Sequence, residues 1–311
     1  MVEQAHLREV GPRDGLQMVG TILPAERKID WCRRTVAAGL HRVEVTSFVA
    51  PSVVPQFADA AEVARVAAAV LGIEASALAP NLKGAERAIA SGVAAVNFVM
   101  SASEAHNLAN VRRSRTQSLE EFARIVVHRD AVASGRVLLS GCIATSFGCT
   151  IAGAVPEADV LEIAERYLAI GADELIIADT VGYANPAQVR GLMSRILSIA
   201  GDRPVTCHFH DTRGLGLANV VSALEAGVRC FDTSLAGLGG CPFAPGASGN
   251  IDTEDTAYLL ESLGFDTGVD IAALLELRRD VESWLPGEQF GGNIASAGLP
   301  KTYRPAALAA R

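Results

Sequence analysis

The 311-residue sequence has no apolar stretch that reaches membrane-spanning length without glycine or charge, so a helical membrane anchor is not expected. The N-terminus lacks the charged segment and apolar core of a secretory leader, so no signal peptide is expected either. Long Lys/Arg runs are missing, and 27 basic against 35 acidic residues leave a net charge of -8. That balance argues against nucleic acid or an anionic membrane surface as a general partner, and any anionic ligand must be held locally. Six cysteines, Cys32, Cys142, Cys149, Cys207, Cys230 and Cys241, form no CxxC pair. Most sit in apolar runs typical of buried free thiols, which suits a reducing cytoplasm. Aromatic residues are few as well, which fits a soluble helical or α/β protein and says little more. No low-complexity linker or charge block marks a domain boundary.

Half of the residues are hydrophobic, enough for one large core. Short Val/Ile/Leu-rich runs alternate with longer stretches of helical period, the pattern of a parallel sheet crossed by helices. The spacing predicts strands at His6–Val10, Arg42–Thr46, Glu74–Ala79, Ala95–Met100, Val137–Ala144, Glu174–Ala178, Val205–His210 and Cys230–Thr233. Predicted helices include Glu26–Ala38, Phe57–Leu71, Leu119–Ser134, Glu157–Ile170, Pro186–Ile199 and Leu215–Ala226, with two more at Thr253–Leu263 and Ile271–Trp284. Eight such units favour a closed α/β (β/α)8 TIM barrel over an open doubly wound sheet. The expected organisation is a catalytic barrel over 1–285 and a short Gly/Pro-rich C-terminal extension over 286–311, which either caps the barrel or serves a subunit contact.

In a barrel, polar residues just past the C-terminal ends of the strands share one mouth. After the first strand, Gly11-Pro12-Arg13-Asp14-Gly15-Leu16-Gln17 offers a cation, a carboxylate and an amide, either as a turn with an internal salt bridge or as a working pair. On the seventh strand, His208 and His210 stand two residues apart and share a face. They are core histidines or a pincer of neutral imidazoles for one metal ion. The run from Leu238 to Asn250 is too rich in glycine and proline for a helix or strand, and too apolar for a plain solvated linker. Within it, Cys241 is a structural thiol or a proton donor. Asn250 caps the next helix or offers its amide oxygen to a metal.

GPRDGLQ, EVTSF (44–48), PNLKG (80–84), Asp179-Thr180, HFHDT and AGLGGCPFAPGASGN (236–250) together resemble the hydroxymethylglutaryl-CoA lyase family, in order and spacing from residue 7 to residue 265. The Cys-containing glycine loop separates that family from the wider group of isopropylmalate and homocitrate synthases. The resemblance implies Asp14, His208, His210 and Asn250 as ligands of a Mg2+- or Mn2+-type cation, a site that also admits Zn2+. It implies catalytic roles for Arg13, Asp14, Glu44, Asp179, His208 and Cys241, and substrate contacts at Arg13, Gln17, Ser47 and Thr180. The implied substrate is an acyl-CoA, 3-hydroxy-3-methylglutaryl-CoA, cleaved by a retro-Claisen reaction to acetyl-CoA and acetoacetate, as in leucine catabolism. A homo-oligomer is compatible with it.

The chemistry needs three groups: one that acidifies the tertiary hydroxyl, Arg13 on the thioester oxygen, and a base drawn from His208 and the carboxylates of the mouth. Glu44 and Asp179 orient the ligands or simply cap strand ends, and Cys241 returns a proton to the enolate. Several positions depart from the family pattern: Ser103–Arg113 lacks paired lysines, Thr150-Ile151-Ala152-Gly153 lacks a carboxylate, and Ile176, Arg213 and Leu215 stand where Ser, Tyr and Gln are common. These changes bear on acyl specificity, so a related 3-hydroxy-3-substituted acyl-CoA is the alternative substrate. A Claisen-type synthase and a noncatalytic binding protein on the same scaffold are the remaining alternatives.

Overall fold

The computed structural model describes residues 2–133, 135–240 and 249–309. Eight parallel strands close into a barrel in chain order: β1 (His6–Glu9), β2 (Arg42–Ser47), β3 (Glu74–Leu78), β4 (Ala95–Ser101), β5 (Leu138–Ala144), β6 (Glu174–Asp179), β7 (Val205–Phe209) and β8 (Cys230–Thr233). β8 pairs back onto β1 over all four residues. The α/β barrel expected from the sequence is therefore the fold, and each strand starts and stops within one residue of its predicted bounds. The helices are α1 (Ala25–Ala37), α2 (Ala60–Ala67), α3 (Leu82–Ala90), α4 (Glu104–Val111), α5 (Arg115–Ala133), α6 (Glu157–Ile170), α7 (Pro186–Ala200), α8 (Gly216–Ala226), α9 (Thr253–Ser262), α10 (Ile271–Trp284), α11 (Ile294–Ala297) and α12 (Ala306–Ala309). Among the described residues no helix is long and apolar enough to cross a membrane.

The period of two along each strand divides apolar from polar side chains. Val43, Val45, Val96, Phe98, Leu139, Leu175, Ile177, Val205, Cys207, Phe209 and Phe231 are buried in one continuous core with the helices. The alternate positions turn inward, and many of them are polar, among them Arg8, Glu44, Asn97, Ser140, Glu174, Thr206, His208 and Asp232. Arg8 on β1 reaches Glu174 on β6, and Asn97 on β4 reaches Glu44 on β2. Because neither pair joins neighbouring strands, both contacts cross the barrel interior. Gly141 has a packing role on β5: a Cβ there would lie 2.7 Å from the ring of buried Tyr167, which fills that space together with Phe122.

The segment after α10 folds back onto the barrel. Gly291 N–H donates to Ala236 O at 2.7 Å, and Asp255 at the start of α9 accepts from the backbone of Asn293 and Ile294. Farther along, Ala306 N–H donates to Glu261. The residues just past α10 therefore touch the base of the loop that follows β8, on the C-terminal side of the barrel.

Candidate active site at the barrel mouth

The turn after β1 is built by its own backbone: the N–H groups of Arg13, Asp14 and Gly15 all donate to Val10 O. This tight coil sends Asp14 over the end of β7, where the strand's inward parity aims His208 and then His210. Asp14 Oδ2 lies 3.8 Å from His208 Nε2 and 3.9 Å from His210 Nε2, and the two Nε2 atoms are 3.2 Å apart. All three side chains are buried, and they form the cluster among the described residues with ligand atoms close enough to share one metal ion.

Asn250 enters the same site by a different route. Residues 249–252 run beside β7 and β8: Gly249 O accepts from Asp211 N–H, Ile251 N–H donates to Phe209 O, and Ile251 O accepts from Ser234 N–H. Gly249 stands at φ +97°, and a Cβ on it would lie 2.2 Å from Gly237 O, so only glycine lets the chain pass. Asn250 Nδ2 then donates to Asp14 Oδ2 at 2.8 Å and to Leu238 O at 3.2 Å. Its Oδ1 is buried without a hydrogen-bond partner among the described residues. The alternative reading of Asn250 as a helix cap does not hold, because the cap of α9 is Asp252, whose side chain accepts from Asp255 N–H.

The charges of the site balance locally. Burial alone would raise the Asp14 carboxyl, but Arg13, the two histidines and the Asn250 amide outweigh it and hold the group at about 2. His210 is pushed down to about 4 by burial and by neighbouring His208. Burial also pulls His208 down, yet its bond to Asp232 and the charges of Asp14 and Asp232 leave it above its ordinary value. An anionic oxygen, two imidazoles facing one point and an unpartnered amide oxygen make a donor set for a hard or borderline divalent cation. Two neutral imidazoles can share the 3.2 Å contact only if one Nε2 carries a proton, whereas an ion between them uses both lone pairs.

Arg13 pairs with Asp14, the internal salt bridge the turn suggested, and also with Glu44 on β2. Glu44 is fully buried and its other oxygen accepts from Asn97 at 2.7 Å. Asp179 ends β6 beneath the mouth, and its two oxygens accept from Tyr183 and Ala184 N–H, the geometry of a strand-end cap. Burial pushes its carboxyl up to about 6, against the pull of those bonds and of His208. Thr180 Oγ1 accepts from Thr145 N–H, and Ser47 Oγ accepts from Val49 N–H, so both hydroxyls hold loops of the mouth. Gln17 is half-buried on the short 3-10 turn Gly15–Met18. Cys241 lies outside the described residues.

Two polar residues of the interior were not singled out in the sequence: Asn97, the partner of Glu44, and Asp232, the partner of His208. Each is one polar residue inside an apolar strand run, AVNFVM and CFDT. The signal available was its inward parity, shared with Ser140 on β5 and His208 on β7.

The chain matches the HMGL-like family model over residues 4–281. It is 40% identical over 293 residues to a hydroxymethylglutaryl-CoA lyase of Bacillus subtilis (strain 168), covering 94% of this chain and 95% of that relative. It is 41% identical over 286 residues to the (R)-citramalyl-CoA lyase of Chloroflexus aurantiacus, covering 88% of this chain and 89% of that one. Among solved structures, an HMG-CoA lyase from Acinetobacter baumannii in complex with coenzyme A and 3-methylmalate superposes with a TM-score of 0.90 at 42% identity, over 97% of each chain.

Proposed function

The chain belongs to the HMGL-like family, and from that premise we propose that it is a divalent-metal-dependent carbon-carbon lyase cleaving 3-hydroxy-3-methylglutaryl-CoA to acetyl-CoA and acetoacetate. The observation that carries the reading is the buried convergence of Asp14, His208 and His210, with Asn250 bonded to Asp14 and Arg13 beside it. These four residues would hold Mg2+ or Mn2+, and the ion, when bound, acidifies the substrate's tertiary hydroxyl and fixes its orientation.

The reaction removes the hydroxyl proton, turns the C3–O bond into a carbonyl, breaks C2–C3 and leaves the electron pair on the thioester enolate. Arg13 faces that thioester oxygen in our reading and neutralises the charge as it develops, while Glu44 and Asn97 fix the guanidinium from below. We assign the hydroxyl proton to Asp179, one residue past the Ala178 that pairs with His208 in register. Asp179, raised to about 6, suits a general base at neutral pH better than an unperturbed carboxylate. Protonation of the enolate at C2 is assigned to Cys241, on chemistry alone. We also treat residues 1–285 as the catalytic barrel and 286–311 as its extension, and five free cysteines among the described residues suit a reducing compartment.

The likeness to a citramalyl-CoA lyase favours a second reading, in which the distal carboxylate sits directly on C3 and the products are acetyl-CoA and pyruvate. One methylene separates the two substrates, a difference of about 1 to 3 kcal/mol in a pocket. Purified protein with Mg2+ is given each thioester in turn. Faster release of acetoacetate supports the first reading, faster release of pyruvate replaces it with the second, and release of neither removes the lyase assignment.

A further inference from the structure

His208 and His210 differ in what lies behind them. His208 Nδ1 is 3.1 Å from Asp232 Oδ2, on the neighbouring strand and directly opposite in register. The other oxygen of Asp232 accepts from Arg8 Nε at 2.7 Å, and Arg8 Nη1 reaches Glu174 at 3.3 Å. Glu174 in turn accepts from Thr206 Oγ1 at 2.5 Å and Ser140 Oγ at 2.6 Å. The chain of bonds therefore runs from the barrel floor to one imidazole. Behind His210, by contrast, Nδ1 is buried with no hydrogen-bond partner among the described residues.

We propose that Asp232, anchored by Arg8, is a positioning residue that holds His208 in the Nδ1–H tautomer and so presents the Nε2 lone pair to the metal position. The inference rests on the metal reading above. A carboxylate is required by the count of donors and acceptors. Both Arg8 Nε–H and His208 Nδ1–H are donors, and Asp232 meets them with two acceptor oxygens. An asparagine has the same shape but one oxygen. With that oxygen kept on Arg8, its NH2 faces His208 Nδ1, which must then accept, so the ring proton moves to Nε2 and the metal position loses a ligand. Serine proteases show the same logic when the triad aspartate becomes asparagine. His210 has no such partner, so its ring is set by the ion and by Asp14.

The test uses Asp232→Asn in the full chain, with Mn2+ affinity read by EPR titration and the His208 tautomer read from imidazole 15N shifts of the metal-free protein. Loss of an outer partner of this kind weakens metal binding by about 10- to 100-fold. The expected result is a Kd for Mn2+ raised by that factor in a variant that unfolds cooperatively, with His208 shifted to Nε2–H. A Kd within twofold of the parent, or an unchanged tautomer, overturns the proposal. Should Asp232→Asn fail to fold, the parent protein still decides: a metal-free His208 found as Nε2–H rejects the assignment, and Nδ1–H upholds it. A parent chain that binds no Mn2+ would instead remove the metal reading, while the tautomer measurement still judges the role of Asp232.

Discussion

The Nε2 atoms of His208 and His210 stand 3.2 Å apart, with Asp14 Oδ2 within 3.9 Å of each. Such closeness of three buried ligand atoms favours an ion and disfavours two charged imidazoles, and burial first, with His208 beside it, keeps His210 neutral down to about pH 4. Two consequences are measurable. Verified chelation should abolish cleavage, with Mg2+ or Mn2+ restoring it. Binding to the folded state alone should also raise stability, by about 2.7 kcal/mol at 100 times Kd. Full turnover in exhaustively chelated protein, or a melting temperature indifferent to Mn2+, would contradict the assigned site.

Arg13 is held by two carboxylates, Asp14 and Glu44, before any substrate arrives. A guanidinium fixed in advance needs no reorganisation when charge appears on the thioester oxygen, so its contribution belongs to the transition state. Arg13→Met should lower kcat by about 100- to 1000-fold and move KM little. Removing the cation also leaves two buried carboxylates facing each other, so thermal unfolding has to be measured on the same sample. An effect confined to KM would reassign Arg13 to ground-state binding.

The strands were legible because the outward positions of most of them carry Val, Ile, Leu or Phe against the helices, with alanines on β3, and that alternation survives in the sequence. Four helices were not: α3, α4 and the two four-residue turns α11 and α12 of the tail. α3 buries only Gly84, Ala85 and Ala88, and α4 buries His106 and Asn107, so neither presents the large apolar stripe that marks a helix. The site divides in the same way. Asp14, His208 and His210 announce themselves through a turn and a strand period. Asp232 and Asn97 matter through partners on other strands, 24 and 53 residues away, which no local pattern encodes. Asn250 was visible as a polar residue at a loop end, but whether it caps α9 depended on where Asp252 falls.

Glu9 supplies a test by pH. It is fully buried, Oε1 accepts from Gly11 and Leu235 N–H, and Oε2 accepts from Thr253 Oγ1 at 2.8 Å, so it joins the turn of Arg13 and Asp14 to the loop after β8. Burial pushes its carboxyl from 4.5 up to about 7 against those bonds. A folded-state value above the unfolded one means that the native protein binds more protons between them. The contribution is therefore complete below about pH 4.5 and lost as pH rises through 7, at most about 3 kcal/mol. Glu9→Gln keeps Oε1 for the two backbone donors and lets Thr253 Oγ1 accept instead while donating to Thr233. Urea unfolding across pH 4.5 to 7 should show a decline in the parent that is shallower in the variant, and parallel curves would reject Glu9 as its source.

Gly239 tests whether the backbone at the foot of the glycine loop places Asn250. It stands at φ +138°, and a Cβ there would lie 2.5 Å from Asn250 Nδ2. Gly239→Ala therefore carries two penalties: backbone strain of about 1 to 3 kcal/mol, and displacement of an amide that holds Asp14 Oδ2 on one side and offers Oδ1 on the other. Gly264, after α9, has φ +89° and nothing within 4 Å of its Cβ position, so Gly264→Ala imposes strain without touching the site. Both variants should lose stability. Only Gly239→Ala should also weaken Mn2+ binding, by about tenfold or more, since one misplaced ligand is worth about 1.4 kcal/mol at the least. Equal Mn2+ affinity in the two variants, each confirmed folded by its unfolding transition, would mean that Asn250 is not held in place by Gly239 or does not bind the ion.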